Sequence, residues 1–359
     1  MLKASCVVYK TEYSSFSLQS AWDTAQAIQS GGYDFGEIRI VNSEVLLSAL
    51  QSEKEKNNAL FLLTDKGAFT QLAPFVQSIY KNEIYTSETF VVYQDGDKTV
   101  YVTTVDVANA ANELLPYLQK KSGMRTGKLV IRSVGASIVR IESLLADTKR
   151  LSNGLMRYRH QREYDEDVIE IFYGENAPKM LIDDILRLFA DGLADTMYAL
   201  DDTPLAKQLV ELLKLRGKTL SVAESFTGGG IAKKIVEISG ASSVYFEGLN
   251  TYNELSKVRR LGVSEYTLHT YGAVSDQTAY EMAAGLIADG TCDISIATTG
   301  LAGPNSDRSG LPIGLCYIAI GTKERVFVYR YKFDGNREEI TQKAIRYALF
   351  LAYKQLKNM

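Results

Sequence analysis

The run Thr219-Leu220-Ser221-Val222-Ala223-Glu224-Ser225-Phe226-Thr227-Gly228-Gly229-Gly230 decides how this chain is read. Thr219 to Ala223 has the composition of a buried strand, and Gly228 to Ile238 has helical spacing. Ser225 therefore stands where a strand hands over to a helix. The glycines let the backbone approach a ligand closely and adopt positive φ without a Cβ clash. The first amides of a helix have no partner inside it and lie at its positive end. Thr227, Gly228 and Gly229 can thus present amides to a phosphate or to the oxyanion of a tetrahedral intermediate. The plain alternative is that Ser225 caps the helix and the glycines only make a tight turn. No G-K-[ST] follows, so the run is not a P-loop, and it does not match G-x-S-x-G.

A serine nucleophile needs a base. The chain holds two histidines, His160 and His269, which excludes a three-histidine zinc site, and it contains no H-E-x-x-H pair. His269 sits within a helical stretch before Tyr271-Gly272 and reads as a surface residue. The better candidates lie in Thr251-Tyr252-Asn253-Glu254-Leu255-Ser256-Lys257. Tyr252 is expected to end a strand and Lys257 to lie on the short helix after it. Both can face the carboxyl edge of a sheet, where α/β proteins bind ligands. A lysine serves as base only if its pKa falls from about 10.4 towards neutrality. Burial would do this, as would a neighbouring cation, and Arg259 and Arg260 are close in sequence. The alternatives are a solvated helix charge for Lys257 and core packing for Tyr252.

Outward from this element the chain, 359 residues long, reads as three blocks. Residues 1–122 alternate strands and helices: strands at Lys3–Tyr9, Glu37–Val41 and Ala59–Leu63, helices at Gln19–Gln29, Phe69–Tyr80 and Val107–Leu118. A hairpin is expected at Asp95-Gly96-Asp97. This is the pattern of a doubly wound sheet. Residues 125–200 read β-α-β-β-α, a small α+β domain. Asp201-Asp202-Thr203-Pro204 is a linker and helix start. Residues 203–359 alternate again, ending in a helix over Glu338–Leu356. The fold class expected is α/β in three parts.

Hydrophobic residues make up 46% of the chain and charged residues 23%, an ordinary globular balance, and the net charge of -3 gives no bulk attraction to nucleic acid or anionic lipid. Cys6, Cys292 and Cys316 form no metal-type pair and no even-numbered framework, which suits a reducing compartment. The apolar stretch Ala4 to Tyr9 is too short for a signal peptide. No apolar run reaches the ~20 residues that span a bilayer. The expectation is a cytoplasmic protein with no membrane partner, no metal and no cofactor.

Several stretches, taken in order, resemble the C-terminal domain of the competence/damage-inducible protein CinA family. They are Ala223-Glu224-Ser225 with Thr227-Gly228-Gly229, Thr251-Tyr252 with Lys257, Leu261-Gly262-Val263, Gly272-Ala273-Val274-Ser275, and Gly300-Leu301-Ala302-Gly303-Pro304 with Pro312 and Gly314. Gly335-Asn336-Arg337 before the last helix fits too. Members of that family include nicotinamide mononucleotide amidohydrolases. The resemblance implies that residues 203–359 convert nicotinamide mononucleotide and water to nicotinic acid mononucleotide and ammonia. It makes Ser225 the nucleophile and Lys257 the base, with Tyr252 assisting proton transfer. Which of Lys257 and Tyr252 takes the proton stays open. Thr227, Gly228, Gly229, Gly300, Ala302, Gly303 and Arg337 would contact the substrate, and relatives imply a homodimer.

The chain departs from the family pattern at Phe226, where cysteine is usual and the side chain is expected to face inward. It departs again at residues 253–256, at Asp334 and Asn336, and in the loop Asn305-Ser306-Asp307-Arg308-Ser309-Gly310-Leu311. The other two blocks have the order of full-length members, a molybdopterin-binding-like domain and then a KH-like module. Thr64-Asp65-Lys66-Gly67-Ala68-Phe69 lacks the glycine-rich loop and paired aspartates of that first domain, so its pyrophosphatase activity is expected to be lost. The middle block lacks G-x-x-G, so nucleic acid is not expected as a partner. The alternative to an enzyme is a non-catalytic nucleotide-binding or scaffold protein associated with competence or DNA damage.

Overall fold

The computed structural model describes residues 2–122, 126–174, 176–288, 290–305 and 310–359. Position 125, the expected start of the middle block, and positions 306–309 of the altered loop lie outside the described residues. Contacts along the chain group it into two compact units. One comprises Met1–Lys128, Lys149–Arg157 and Ile171–Ile182; the other comprises Leu129–Thr148, Tyr158–Glu170 and Asp183–Met359. The fold is α/β with three sheets.

The first sheet contains β1 (Leu2–Tyr9), β2 (Tyr33–Val41), β3 (Ala59–Thr64), β4 (Asn82–Thr86), β5 (Phe90–Asp95) and β6 (Lys98–Thr104), ordered β2-β1-β3-β6-β5-β4. β1, β2, β3 and β6 are parallel, and β5 and β4 run antiparallel at one side. Alternate side chains of β1, β3, β5 and β6 feed opposite cores. Cys6, Val8, Phe61 and Leu63 pack with Ala21, Ala25 and Ile28 of the helix Leu18–Ser30. Val7, Leu60 and Leu62 pack with Leu46, Leu50, Leu72 and Val76 from the helices Leu46–Lys56 and Lys66–Tyr80. The helix Leu46–Lys56 and the strand β4 here, and the short strand Met197–Ala199 further on, have no counterpart among the expected elements.

The second sheet contains β7 (Thr126–Val134), β8 (Met156–Glu163), β9 (Glu166–Gly174) and β10 (Met197–Ala199), ordered β10-β7-β9-β8. The helices Ile138–Ser152 and Lys179–Gly192 accompany it. His160 has a structural post here. Its Nε2 lies 2.8 Å from Oδ1 of Asp167, whose side chain is fully buried and also receives Arg162 at 3.3 Å. A buried carboxylate needs such partners.

The third sheet carries the candidate site. Its strands are β11 (Leu220–Glu224), β12 (Tyr245–Asn250), β13 (Ile294–Gly300), β14 (Leu315–Thr322) and β15 (Val326–Lys332), ordered β12-β11-β13-β14-β15. β12, β11 and β13 are parallel, and β14 and β15 complete the sheet antiparallel. Val222, Ile296 and Ile318 face a core shared with the helices Leu205–Arg216, Gly230–Val236 and Arg337–Asn358. Their neighbours Ala223, Ala297 and Ala319 face the opposite core, against Ala279, Met282 and Ala283 of the helix Asp276–Ile287. Small alanines on that face let the helix lie close to the sheet. Among the described residues no helix is long and apolar enough to cross a membrane.

Candidate active site

Three parallel strands release their chains at one edge. Glu224 pairs with Asn250 of β12 on one side and with Thr298 of β13 on the other. Ser225 and Thr251 therefore leave the sheet side by side, while β13 runs on through Thr299 and Gly300 paired with β14, at the edge where α/β folds place ligands. Ser225 N–H donates to Thr298 O at 3.2 Å, and Thr251 N–H donates to Glu224 O at 2.7 Å, extending both pairings past the strands. The hydroxyls of Thr227 and Thr298 meet at 2.8 Å in the interior.

The chain then turns. Gly228 N–H donates to Ser225 O at 3.1 Å, so residues 225–228 close a tight turn before the helix Gly230–Val236. Gly228 and Gly229 take φ of 61° and 94°, the left-handed region that glycine enters without cost. Phe226 points inward as expected, packed with Ala302, Cys316, Phe333, Ile340 and Ala344.

Ser225 is 8% exposed and Lys257 is 1% exposed. Lys257 lies on the helix Glu254–Leu261, which Asn253 caps by accepting Leu255 N–H at 2.9 Å. Its Nζ donates to Ser225 Oγ at 3.0 Å and to Thr251 O at 2.5 Å. Burial lowers the amine to about 8, against a small opposing pull from Glu254. Arg259 and Arg260, named from the sequence as possible causes, are exposed on the last turn and are not what lowers it. The structure thus brings a hydroxyl and a weakly basic buried amine into hydrogen-bond contact.

Tyr252 differs from its expected place. β12 ends at Asn250, and Tyr252 lies beyond it, 64% exposed. Among the described residues its hydroxyl meets neither Ser225 nor Lys257; it receives Nη2 of Arg337 at 3.4 Å. Arg337 opens the last helix behind an Asn336–Glu339 capping box. Its Nη1 donates to Gly303 O at 2.5 Å, tying the helix start to the loop that follows β13. His269 is exposed on the helix Glu265–Tyr271, as its sequence position suggested.

The loop Gly300–Pro304 is built on close packing. Leu301 N–H donates to Leu315 O at 2.9 Å and Gly314 N–H to Leu301 O at 2.7 Å. Ala302 is buried, so its methyl group serves the core and only its backbone remains for a ligand. A Cβ on Gly300 would stand 2.5 Å from Cβ of Cys316. Gly314 has φ of 89°, and a Cβ there would run into the Phe333 carbonyl oxygen. Gly314→Ala is therefore expected to destabilise the chain by about 2 kcal/mol, from backbone strain plus displacement of the backbone at Phe333, just past β15. A lower urea midpoint with an unchanged slope checks this; an unchanged midpoint refutes it.

The sequence placed the anion-binding amides at Thr227, Gly228 and Gly229. In the structure two of the three amides have partners within the protein. Gly228 N–H is used in the turn, and Gly229 N–H donates to Oε2 of Glu224 at 3.1 Å. The same carboxylate receives Ile231 N–H at 3.1 Å and Ala232 N–H at 2.8 Å. Glu224 is 1% exposed and was not singled out in the sequence. The signal was an acidic residue just ahead of a helix start, where a carboxylate complements the positive end.

The family described as the CinA C-terminal domain matches residues 202–356. A competence-damage inducible protein of Caldicellulosiruptor saccharolyticus is 31% identical over 329 residues, covering 90% of this chain and 79% of that relative. One from Clostridium botulinum (strain Kyoto / Type A2) is 34% identical over 248 residues, covering 68% of this chain and 61% of that relative, so the chain spans less than two thirds of it. The solved competence/damage inducible protein CihA of Agrobacterium tumefaciens is 36% identical, with a TM-score of 0.41, over 43% of this chain and 93% of that one. The chain belongs to the competence-damage inducible protein (CinA) family.

Proposed function

We propose that residues 203–359 form an amidohydrolase that converts nicotinamide mononucleotide and water to nicotinic acid mononucleotide and ammonia. The observation that carries this reading is the 3.0 Å contact between Lys257 Nζ and Ser225 Oγ at a buried site. A neutral amine keeps one N–H on Thr251 O and turns its lone pair to the Ser225 hydroxyl. Lys257 takes that proton as Ser225 Oγ attacks the carboxamide carbon. The carbonyl oxygen becomes an oxyanion, held by backbone amides at the turn. Lys257 then returns the proton to the leaving nitrogen, and ammonia departs from the acyl-enzyme. Water, deprotonated by the same amine, attacks the ester and releases nicotinic acid mononucleotide with Ser225 restored. Among the described residues the Tyr252 hydroxyl is hydrogen-bonded to neither group, so in this scheme Lys257 alone moves the proton. Residues 1–122 and 125–200 are the accompanying domains of the same proposal, and they take no part in this chemistry.

Arg337 fits the phosphate of the substrate. It is an exposed guanidinium, fixed on the Gly303 carbonyl and the Tyr252 hydroxyl. Arg337→Ala should raise KM for nicotinamide mononucleotide about tenfold or more and leave kcat within a few-fold, because it removes binding common to ground and transition states. Unchanged KM would remove Arg337 from the substrate site. The reaction itself is tested by incubating the protein with nicotinamide mononucleotide and following ammonia. Tight binding without ammonia release would replace the enzyme reading with a non-catalytic nucleotide-binding one.

A further inference from the structure

We propose that Glu224 is the positioning residue of this site: its carboxylate fills the start of the following helix from within, which leaves the oxyanion to the amides of Phe226 and Thr227. The inference rests on the amidohydrolase reading and deepens it. Three amides that would otherwise attract an anion, at Gly229, Ile231 and Ala232, all donate to this one carboxylate. A substrate anion approaching them would meet a buried negative group already in place. The helix start is thereby closed to substrate.

The turn allots the remaining donors. When residue 228 donates back to the carbonyl of residue 225, the amides of the two residues between them have no acceptor within the turn. Among the described residues neither Phe226 N–H nor Thr227 N–H has a hydrogen-bond partner, although both residues are buried. They directly follow the nucleophile, the position from which an amide commonly meets the oxyanion in acyl transfer. Glu224 also acts through its backbone. Its carbonyl oxygen holds Thr251 N–H, and Thr251 O in turn holds the Lys257 amine. One residue thus anchors the nucleophile turn by its side chain and the base by its main chain.

The test is Glu224→Gln, whose terminal amide keeps the shape but sets N–H groups against N–H donors, with Glu224→Asp beside it. Both are assayed in the full chain for kcat and KM with nicotinamide mononucleotide, and for the rate at which a neutral fluorophosphonate labels Ser225. Glu224→Gln should lose about a hundredfold in kcat and in labelling rate, with KM within about threefold, because only the transition-state contact is disturbed. Glu224→Asp should recover part of the rate. If Glu224→Gln keeps full kcat, or changes only KM, the inference is wrong while the amidase reading stands. If the unaltered chain neither releases ammonia nor labels at Ser225, the amidase reading fails and takes the inference with it. Should Glu224→Gln not fold, placing phenyllactate at position 226 exchanges only that N–H for an ester oxygen; unchanged kcat there overturns the assignment.

Discussion

Ser225→Ala should lower kcat for nicotinamide mononucleotide deamidation by about 10⁴-fold or more, and adding Lys257→Met should cost almost nothing further. The reason is that the two side chains act as one unit. Without the hydroxyl the amine has nothing to deprotonate except water. Without the amine the hydroxyl is a weak nucleophile with an ordinary high pKa. Either loss removes the same step, so the effects do not add. Whatever rate remains would come from binding and from backbone amides left in place. The measurement is ammonia release under single-turnover conditions for both single variants and the double. Multiplying losses in the double variant would show that Ser225 and Lys257 work independently, and the 3.0 Å contact would then be structural only. Lys257→Arg is an informative companion. Arginine stays charged at any working pH, so it should be as inactive as methionine despite keeping a donor to Thr251 O.

Much of this site was legible because the chemistry sits where local sequence rules apply. A buried strand, a serine and three glycines announce a strand-to-helix turn, and the parallel pattern announces which edge it occupies. Other features leave no such mark. A lysine on a short helix reads equally as a solvated charge, yet the helix buries Lys257 and Leu261 and leaves Leu255 half exposed. Which face turns inward is decided by what it meets: the helix Asp276–Ile287 on the Leu261 side, and Ser225 and Thr251 at the Lys257 amine. Glu224 leaves no such mark because its partners are backbone amides, which are the same for every residue type. The bond from Arg337 to Gly303 joins positions 34 apart through a loop whose path no periodicity encodes. In the N-terminal sheet, β4 is exposed at every position and so shows no alternation. The helix Leu46–Lys56 was hidden by its polar second half, although Leu46, Ala49, Leu50 and Glu53 carry the spacing of a buried face.

The pH behaviour of Lys257 should appear twice, once in rate and once in stability, with one folded-state pKa governing both: the rate levels off where the stability begins to rise. The amine works as a base only when neutral, so kcat/KM should rise about tenfold per pH unit below its pKa of about 8 and level off above it. Stability follows from the same shift. The folded-state pKa is about 8 and the ordinary value is 10.5, so between them the unfolded chain binds more protons than the folded one. Stability therefore increases as pH rises through that window, and the burial penalty is fully present below it. Two and a half pKa units correspond to a penalty on the order of 3 kcal/mol. Lys257→Met carries no such penalty. Its stability relative to the unaltered chain should be greatest near pH 7 and should fall by that amount towards pH 10.5. The difference between the two proteins cancels the titration of every other tyrosine and lysine they share. Urea unfolding of both proteins at pH 7, 8, 9 and 10 measures it directly. A gap that stays constant across that range would mean the lysine titrates normally in the folded chain. The amine would then be a cation at neutral pH, unable to accept the Ser225 proton, and the catalytic role assigned to it would fall with the stability argument.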